Sequence, residues 1–151
     1  MSEQTPLELI IKREFKYPAK IVFEAWLDPK QLMQWMGPTP DINLNLCEID
    51  PNEKGTYRFG FVQDNEPTLY VSGKYATITR YTLLVFSWTW ENHETAGGVE
   101  TLVTITFEAI DDNTTQLSLH HQKFGDQETC DHHNMGWNGT FDKLTRHLDK
   151  Q

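Results

Sequence analysis

Cys130-Asp131-His132-His133-Asn134-Met135-Gly136-Trp137, running on to Leu148, is the stretch that decides the fold. Cys130, His133, Trp137, Phe141, Leu144 and Leu148 recur every three or four residues, which places them on one stripe of an α-helix. That stripe is apolar except at His133. Its neighbour His132 falls off the stripe, and Gly136 leaves room for the helix to approach a sheet closely. About eighty residues of strand-like sequence, from Ile42 to Gln122, precede this segment. The pattern predicts a long closing helix laid against a curved sheet, a layout that can enclose a pocket.

Working outward, Leu7, Leu9, Ile11 and Phe15 share one parity and predict a first strand. Pro18 suits the first turn of a helix carrying Val22, Ala25 and Trp26, which Asp28-Pro29 interrupts. A second short helix holds Leu32, Trp35 and Met36. Gly37-Pro38-Thr39-Pro40 stops it, because each proline lacks a donor and disfavours the α region in the residue before it. In the next segment Ile42, Leu44 and Leu46 share one parity while Cys47 and Ile49 take the other, the slip that a β-bulge produces.

Tyr57, Phe59 and Phe61 line one face of the following strand, and Asp64-Asn65-Glu66-Pro67 turns the chain into a run from Leu69 to Arg80. Leu84, Phe86, Trp88 and Trp90 form a bulky face, followed beyond Gly97-Gly98 by Val103, Ile105 and Phe107. Asp111-Asp112-Asn113 then leads into Leu117, Leu119 and His121. Short connections predict an antiparallel meander. No repeat, low-complexity tract or linker interrupts it, so residues 1–151 are expected to form one domain.

At 151 residues the chain can bury roughly 70% of its unfolded surface in one core. Twenty-two acidic against 13 basic residues give a net charge of −9, which argues against nucleic acid or an anionic membrane as partner. Cys47 and Cys130 fall in separate elements, and no stretch reads as a secretory signal or a membrane span. A reduced, cytoplasmic setting is the expectation.

The order strand, two short helices, six strands and a long helix resembles the helix-grip fold of the START-like (SRPBCC) superfamily. Phe15-Lys-Tyr-Pro-Ala19, Val22-Phe-Glu-Ala-Trp26, Asp28-Pro29, Trp35-Met-Gly-Pro38, Gly73-Lys-Tyr75, Leu84-Val-Phe-Ser-Trp88 and Gly136-Trp137 together resemble one branch of it, the activator of heat-shock protein 90 ATPase homologue-like family. The resemblance covers Leu7 to Leu148. It implies an α+β architecture in which a seven-stranded curved antiparallel sheet grips the terminal helix around a hydrophobic cavity. The family's pattern has a paired glycine where this chain has Lys54-Gly55, and an aspartate-glycine turn where it has Asp64-Asn65, so these two turns are expected to differ locally.

The family is functionally diverse. It includes eukaryotic co-chaperone domains, an antibiotic-sequestering protein and bacterial proteins of unassigned role, while the superfamily adds lipid carriers and polyketide cyclases. Fold alone does not choose among them. The co-chaperones carry an additional N-terminal domain, and only six residues precede the first expected strand here.

Phe59, Tyr75, Phe86, Trp88, Phe107 and Phe141 are the inward aromatic positions that can wall such a cavity, or simply fill a core. His133 and Trp137 sit on successive turns of one helix face, as pocket wall and polar anchor or as core pair. His121 shares parity with Leu117 and Leu119, so it should emerge on the concave side facing His133. The two imidazoles then read as an acid–base or carboxylate-binding pair, or His121 reads as an exposed residue at the cavity mouth. Cys130, His133 and His121 invite a zinc reading, but Asp126 and Glu128 supply no fourth ligand on that face, and no metal or other cofactor is expected.

No phosphate loop, nucleophile elbow, His-Glu-x-x-His or Cys-x-x-Cys sequence is present. No catalytic residue and no defined reaction are therefore assigned. The expectation is a domain that binds a small hydrophobic, lipid-like or polyketide-like ligand. The alternatives are a protein-interaction module acting on a heat-shock protein 90 type ATPase, and a cyclase- or hydrolase-like enzyme using the cavity histidines.

Overall fold

The computed structural model describes residues 7–151. Strand β1 (Glu8–Phe15) is followed by helices α1 (Ala19–Glu24) and α2 (Pro29–Trp35), then by β2 (Asn43–Ile49), β3 (Thr56–Val62), β4 (Leu69–Thr79), β5 (Leu83–Trp90), β6 (Thr101–Asp111) and β7 (Thr114–Gln122). Helix α3 (Gln127–Asp149) closes the chain. All seven strands form one antiparallel sheet in the order β1-β7-β6-β5-β4-β3-β2. The α1–α2 passage carries the chain from one edge of the sheet to the other, after which each strand pairs with its sequence neighbour and β7 returns to β1.

Local chemistry explains the helix ends. Asp28 caps α2 by accepting from the Lys30 amide at 3.0 Å, with Pro29 at the first helical position. Asp126 caps α3 by accepting from the Thr129 amide at 2.7 Å, and these hydrogen bonds hold its carboxyl below the usual range. Helix α1 is shorter than its apolar spacing predicts: Ala25 caps it, and Trp26 is buried from the turn that follows.

Curvature comes from register slips. The bulge in β2 lies between Leu44 and Leu46, one step before the predicted parity change, so Leu46 pairs with Gly60 and leaves the face that Leu44 shares with Cys47 and Ile49; others interrupt β4 at Tyr75/Thr77 and β6 at Ala109/Asp111. In the two turns that depart from the family pattern, Lys54 and Asn65 hold φ of 70° and 66°. The left-handed conformation that glycine adopts freely is thus kept by residues that carry a Cβ.

The core lies between the concave sheet face and α3. Leu84, Val103, Ile105, Leu117 and Leu119 from the sheet are fully buried, as are Phe141 and Leu144 from the helix. Gly136 is not where the helix makes its closest approach. A Cβ there would meet the Pro38 side chain at an ordinary 3.6 Å, whereas at Gly139 it would lie 1.9 Å from the Pro38 carbonyl oxygen. The neighbour that demands glycine is therefore the α2–β2 connection, not the sheet, and the demand falls one turn later than the sequence suggests.

Lys143, 8% exposed, fastens that same connection. Its Nζ donates to the carbonyls of Thr39 (3.1 Å) and Ile42 (2.9 Å) and to Asn43 Oδ1 (2.8 Å), which uses all three ammonium protons.

Candidate functional site

At one end of the core, three tryptophans and two histidines satisfy one another. Trp88 and Trp90 project from alternate positions of β5, His121 from the end of β7, and His133 and Trp137 from successive turns of α3. His133 donates through Nδ1 to the Thr129 carbonyl at 2.8 Å, which leaves Nε2 as an acceptor. That atom receives the indole N–H groups of Trp88 (3.3 Å) and Trp90 (2.9 Å).

His121 is wired the opposite way. Its Nδ1 accepts from the Trp137 indole at 3.0 Å, so Nε2–H donates to Thr101 Oγ1 at 2.7 Å, and that hydroxyl passes its own proton to the Trp88 carbonyl at 2.7 Å. The two rings lie edge to face, 5.2 Å apart. Burial lowers both from the usual histidine range: His121, fully buried, falls to about 2, with the neighbouring His133 adding to the effect, and His133 falls despite its bond to the Thr129 carbonyl.

This wiring bears directly on the expectations. His121 does emerge on the concave side facing His133, but it is not exposed at a cavity mouth. Every ring nitrogen of the pair has a protein partner, and both rings are held neutral. A proton-transfer role would require breaking the contacts that hold three indoles. Among the described residues no three His, Cys, Asp or Glu side chains converge as a metal site.

Beside the network opens a cleft of about 220 Å³. The N-terminal half of α3 forms one side, the α2–β2 connection a second, and the ends of β3, β4 and β5 the floor. Of the nine predicted wall residues, Trp88, His133 and Trp137 line it. Phe59, Tyr75 and Phe86 instead surround a deeper void of about 10 Å³, room for one water at most. Phe107 packs on Phe23 at 5.2 Å, and Phe141 packs on Phe15, Trp26 and Trp137, so both are core residues. His121 stands behind the wall, holding Trp137.

The remaining lining lies outside the predicted wall. Met36, Pro38 and Ile42 come from the proline-bearing connection, Phe61 and Trp90 from strand ends, and His93 from the β5–β6 loop. Trp90 and Phe61 carried a signal, since each continues the inward parity of its strand. His132 corrects a reading: spacing removes it from the buried stripe, and it is indeed exposed, yet it forms part of the rim of the cleft. A wider depression of about 490 Å³ adjoins across Ile42, Phe61, Leu69 and His93, bordered by Glu66 and Glu94.

The family model described as Activator of Hsp90 ATPase homolog 1-like protein matches residues 16–149. A crystal structure of the AHSA1 protein from Silicibacter pomeroyi is 26% identical with a TM-score of 0.80, covering 94% of this chain and 97% of that one. A solution structure of a protein from Arthrobacter aurescens is 21% identical with a TM-score of 0.82 over 97% and 88% of the two chains. An HSP90 activator from Plasmodium falciparum is 20% identical with a TM-score of 0.66, over 86% of each. No functionally curated protein matches.

Proposed function

The chain belongs to the activator of Hsp90 ATPase homolog 1-like family, and from that premise we propose that it binds a compact, largely apolar small molecule in the cleft beside α3. The observation that carries this reading is the mutual satisfaction of the indole and imidazole groups. Because Trp88 and Trp90 direct their N–H groups to His133, and Trp137 to His121, the cleft has aromatic walls whose polar atoms are already partnered. Apolar surface is displaced from water when such a cleft is filled. A volume of about 220 Å³ is below the roughly 300–1,000 Å³ of clefts that hold drug-sized ligands, so a compact ring system suits it better than a long acyl chain.

Organic extraction of the purified protein with mass spectrometry, followed by chemical-shift mapping of any hit, tests the proposal. The indole N–H signals of Trp88, Trp90 and Trp137 should move most. Shifts confined to the outer face of the sheet would overturn it.

The family's own description favours a second reading, action on a heat-shock protein 90 type ATPase. Likeness to the Plasmodium activator, at 20% identity, supports the fold alone. Co-purification with a heat-shock protein 90 partner and a change in its ATPase rate are the expected results of this reading, and absence of both would exclude it. The wiring of His121 and His133 speaks against the third expectation, an enzyme using them as acid and base.

A further inference from the structure

We propose that His93 is the polar anchor of the cleft, and that the ligand is an uncharged molecule of one or two rings presenting a hydrogen-bond acceptor, such as a carbonyl oxygen, to His93 Nε2–H. The inference rests on the reading of the cleft as a ligand site and adds the ligand's class and orientation.

His93 lines both the cleft and the adjoining depression, so it stands where the two meet. Its Nδ1 accepts the backbone N–H groups of Thr95 (3.2 Å) and Ala96 (3.1 Å), and its ring lies tilted against Trp90 with centroids 5.8 Å apart. Two donors aimed at Nδ1 place the ring proton on Nε2 and fix the ring's orientation. Among the described residues, Nε2 has no protein partner.

The other polar atoms of the wall are committed elsewhere. The three indole N–H groups point to histidines, His133 Nδ1 to Thr129, and the Thr140 hydroxyl to the Gly136 carbonyl. His132 is exposed at the rim, and among the described residues no hydrogen bond orients its ring. His93 is thus the one oriented, unpartnered donor among the described lining residues, and binding sites of this type use a few such groups to fix a ligand's orientation.

Size and charge define the rest of the ligand. An apolar cavity of roughly 150 Å³ takes up one benzene ring, so about 220 Å³ admits a second ring. Glu66 and Glu94 border the depression beyond His93, and the whole chain carries −9, which disfavours a carboxylate at that end. A neutral acceptor meets His93 without that repulsion.

The test uses the full chain with 2-acetylnaphthalene and 2-ethylnaphthalene, nearly equal in shape and differing in the carbonyl, followed by tryptophan fluorescence. Both should bind, the ketone about fivefold more tightly, as expected for one neutral hydrogen bond. His93→Asn keeps an acceptor toward Thr95 and Ala96 but withdraws the distal donor, and should bring the two affinities to parity. His93→Gln places an N–H at the distal position and should retain the preference, as should His132→Asn. In the infrared, the bound ketone's carbonyl stretch should move to lower frequency in the wild type and not in His93→Asn.

Equal binding of both compounds to the wild type overturns the anchor while leaving the cleft reading intact. A preference that survives His93→Asn, or disappears in His132→Asn, also overturns the anchor. Binding of neither compound overturns both.

Discussion

His133 Nε2 accepts from two indoles while His121 Nδ1 accepts from a third, so adjacent rings are held in opposite tautomers, Nδ1–H in His133 and Nε2–H in His121. Long-range proton–nitrogen correlation spectra separate these forms by the nitrogen shifts of each ring. They should show one histidine of each tautomer, with His121 still neutral at pH 5.5. A pair of like tautomers, or titration of His121 near 6.5, would contradict the wiring. Residue spacing places His133 and Trp137 on one face and His121 opposite them. It does not reveal the wiring, because the donors come from Trp88 and Trp90 on a strand some 40 positions earlier. Nor is His93 legible, since its orientation depends on where a loop directs two backbone N–H groups.

Helix α3 carries two glycines with opposite demands. At Gly139 an added Cβ would collide with the Pro38 carbonyl, so Gly139→Ala should cost about 2–4 kcal/mol, as displaced backbone does. At Gly136 a Cβ makes ordinary contact with Pro38, so Gly136→Ala should stabilise the helix by about 0.5–1 kcal/mol while narrowing the cleft that Gly136 lines. Urea denaturation of the two variants checks both signs. Weaker binding of the naphthalene probes to Gly136→Ala, despite greater stability, would separate the site from the fold.

At this scale sequence reading succeeds where periodicity governs: the strand faces and the stripe on α3 lie where spacing puts them, and the slip in β2 falls only one step from the predicted place. It misses where a connection intrudes. The prolines at 38 and 40 announce an end to α2, but not that Lys143 and Gly139 draw the connection against α3. That contact makes the connection a wall of the cleft, while Trp26, Leu32 and Met36 close over Phe59, Tyr75 and Phe86, which, though correctly inward, face only a water-sized void.

The whole molecule inherits a pH dependence from its buried histidines. The order of elements and the ordered family motifs make the grip of sheet on helix legible from sequence, because those depend on pattern. The electrostatic consequence depends on burial and cannot be read from pattern. His121 binds a proton in the unfolded chain near its ordinary value of 6.5 but in the folded chain only near 2, and desolvation is the main cause. A folded-state value below the unfolded one means that the unfolded chain takes up the extra proton as pH falls. The stabilisation is therefore full above 6.5 and declines below it. Between pH 7.5 and 5.5 this one residue should remove about 1.4 kcal/mol, and His133, also lowered by burial, acts in the same direction.

Protonation of surface carboxylates relieves some of the net charge of −9 over the acid range and acts oppositely, so the total slope alone is ambiguous. Comparison with His121→Asn isolates the effect: that side chain can accept from Trp137 but does not titrate. Whatever its absolute stability, the variant's urea-derived free energy should change by about 1.4 kcal/mol less than the wild type's over the same two pH units. Equal changes would mean that His121 takes up its proton as readily in the folded chain as in the unfolded one, which would contradict the donor facing its Nδ1 and its complete burial.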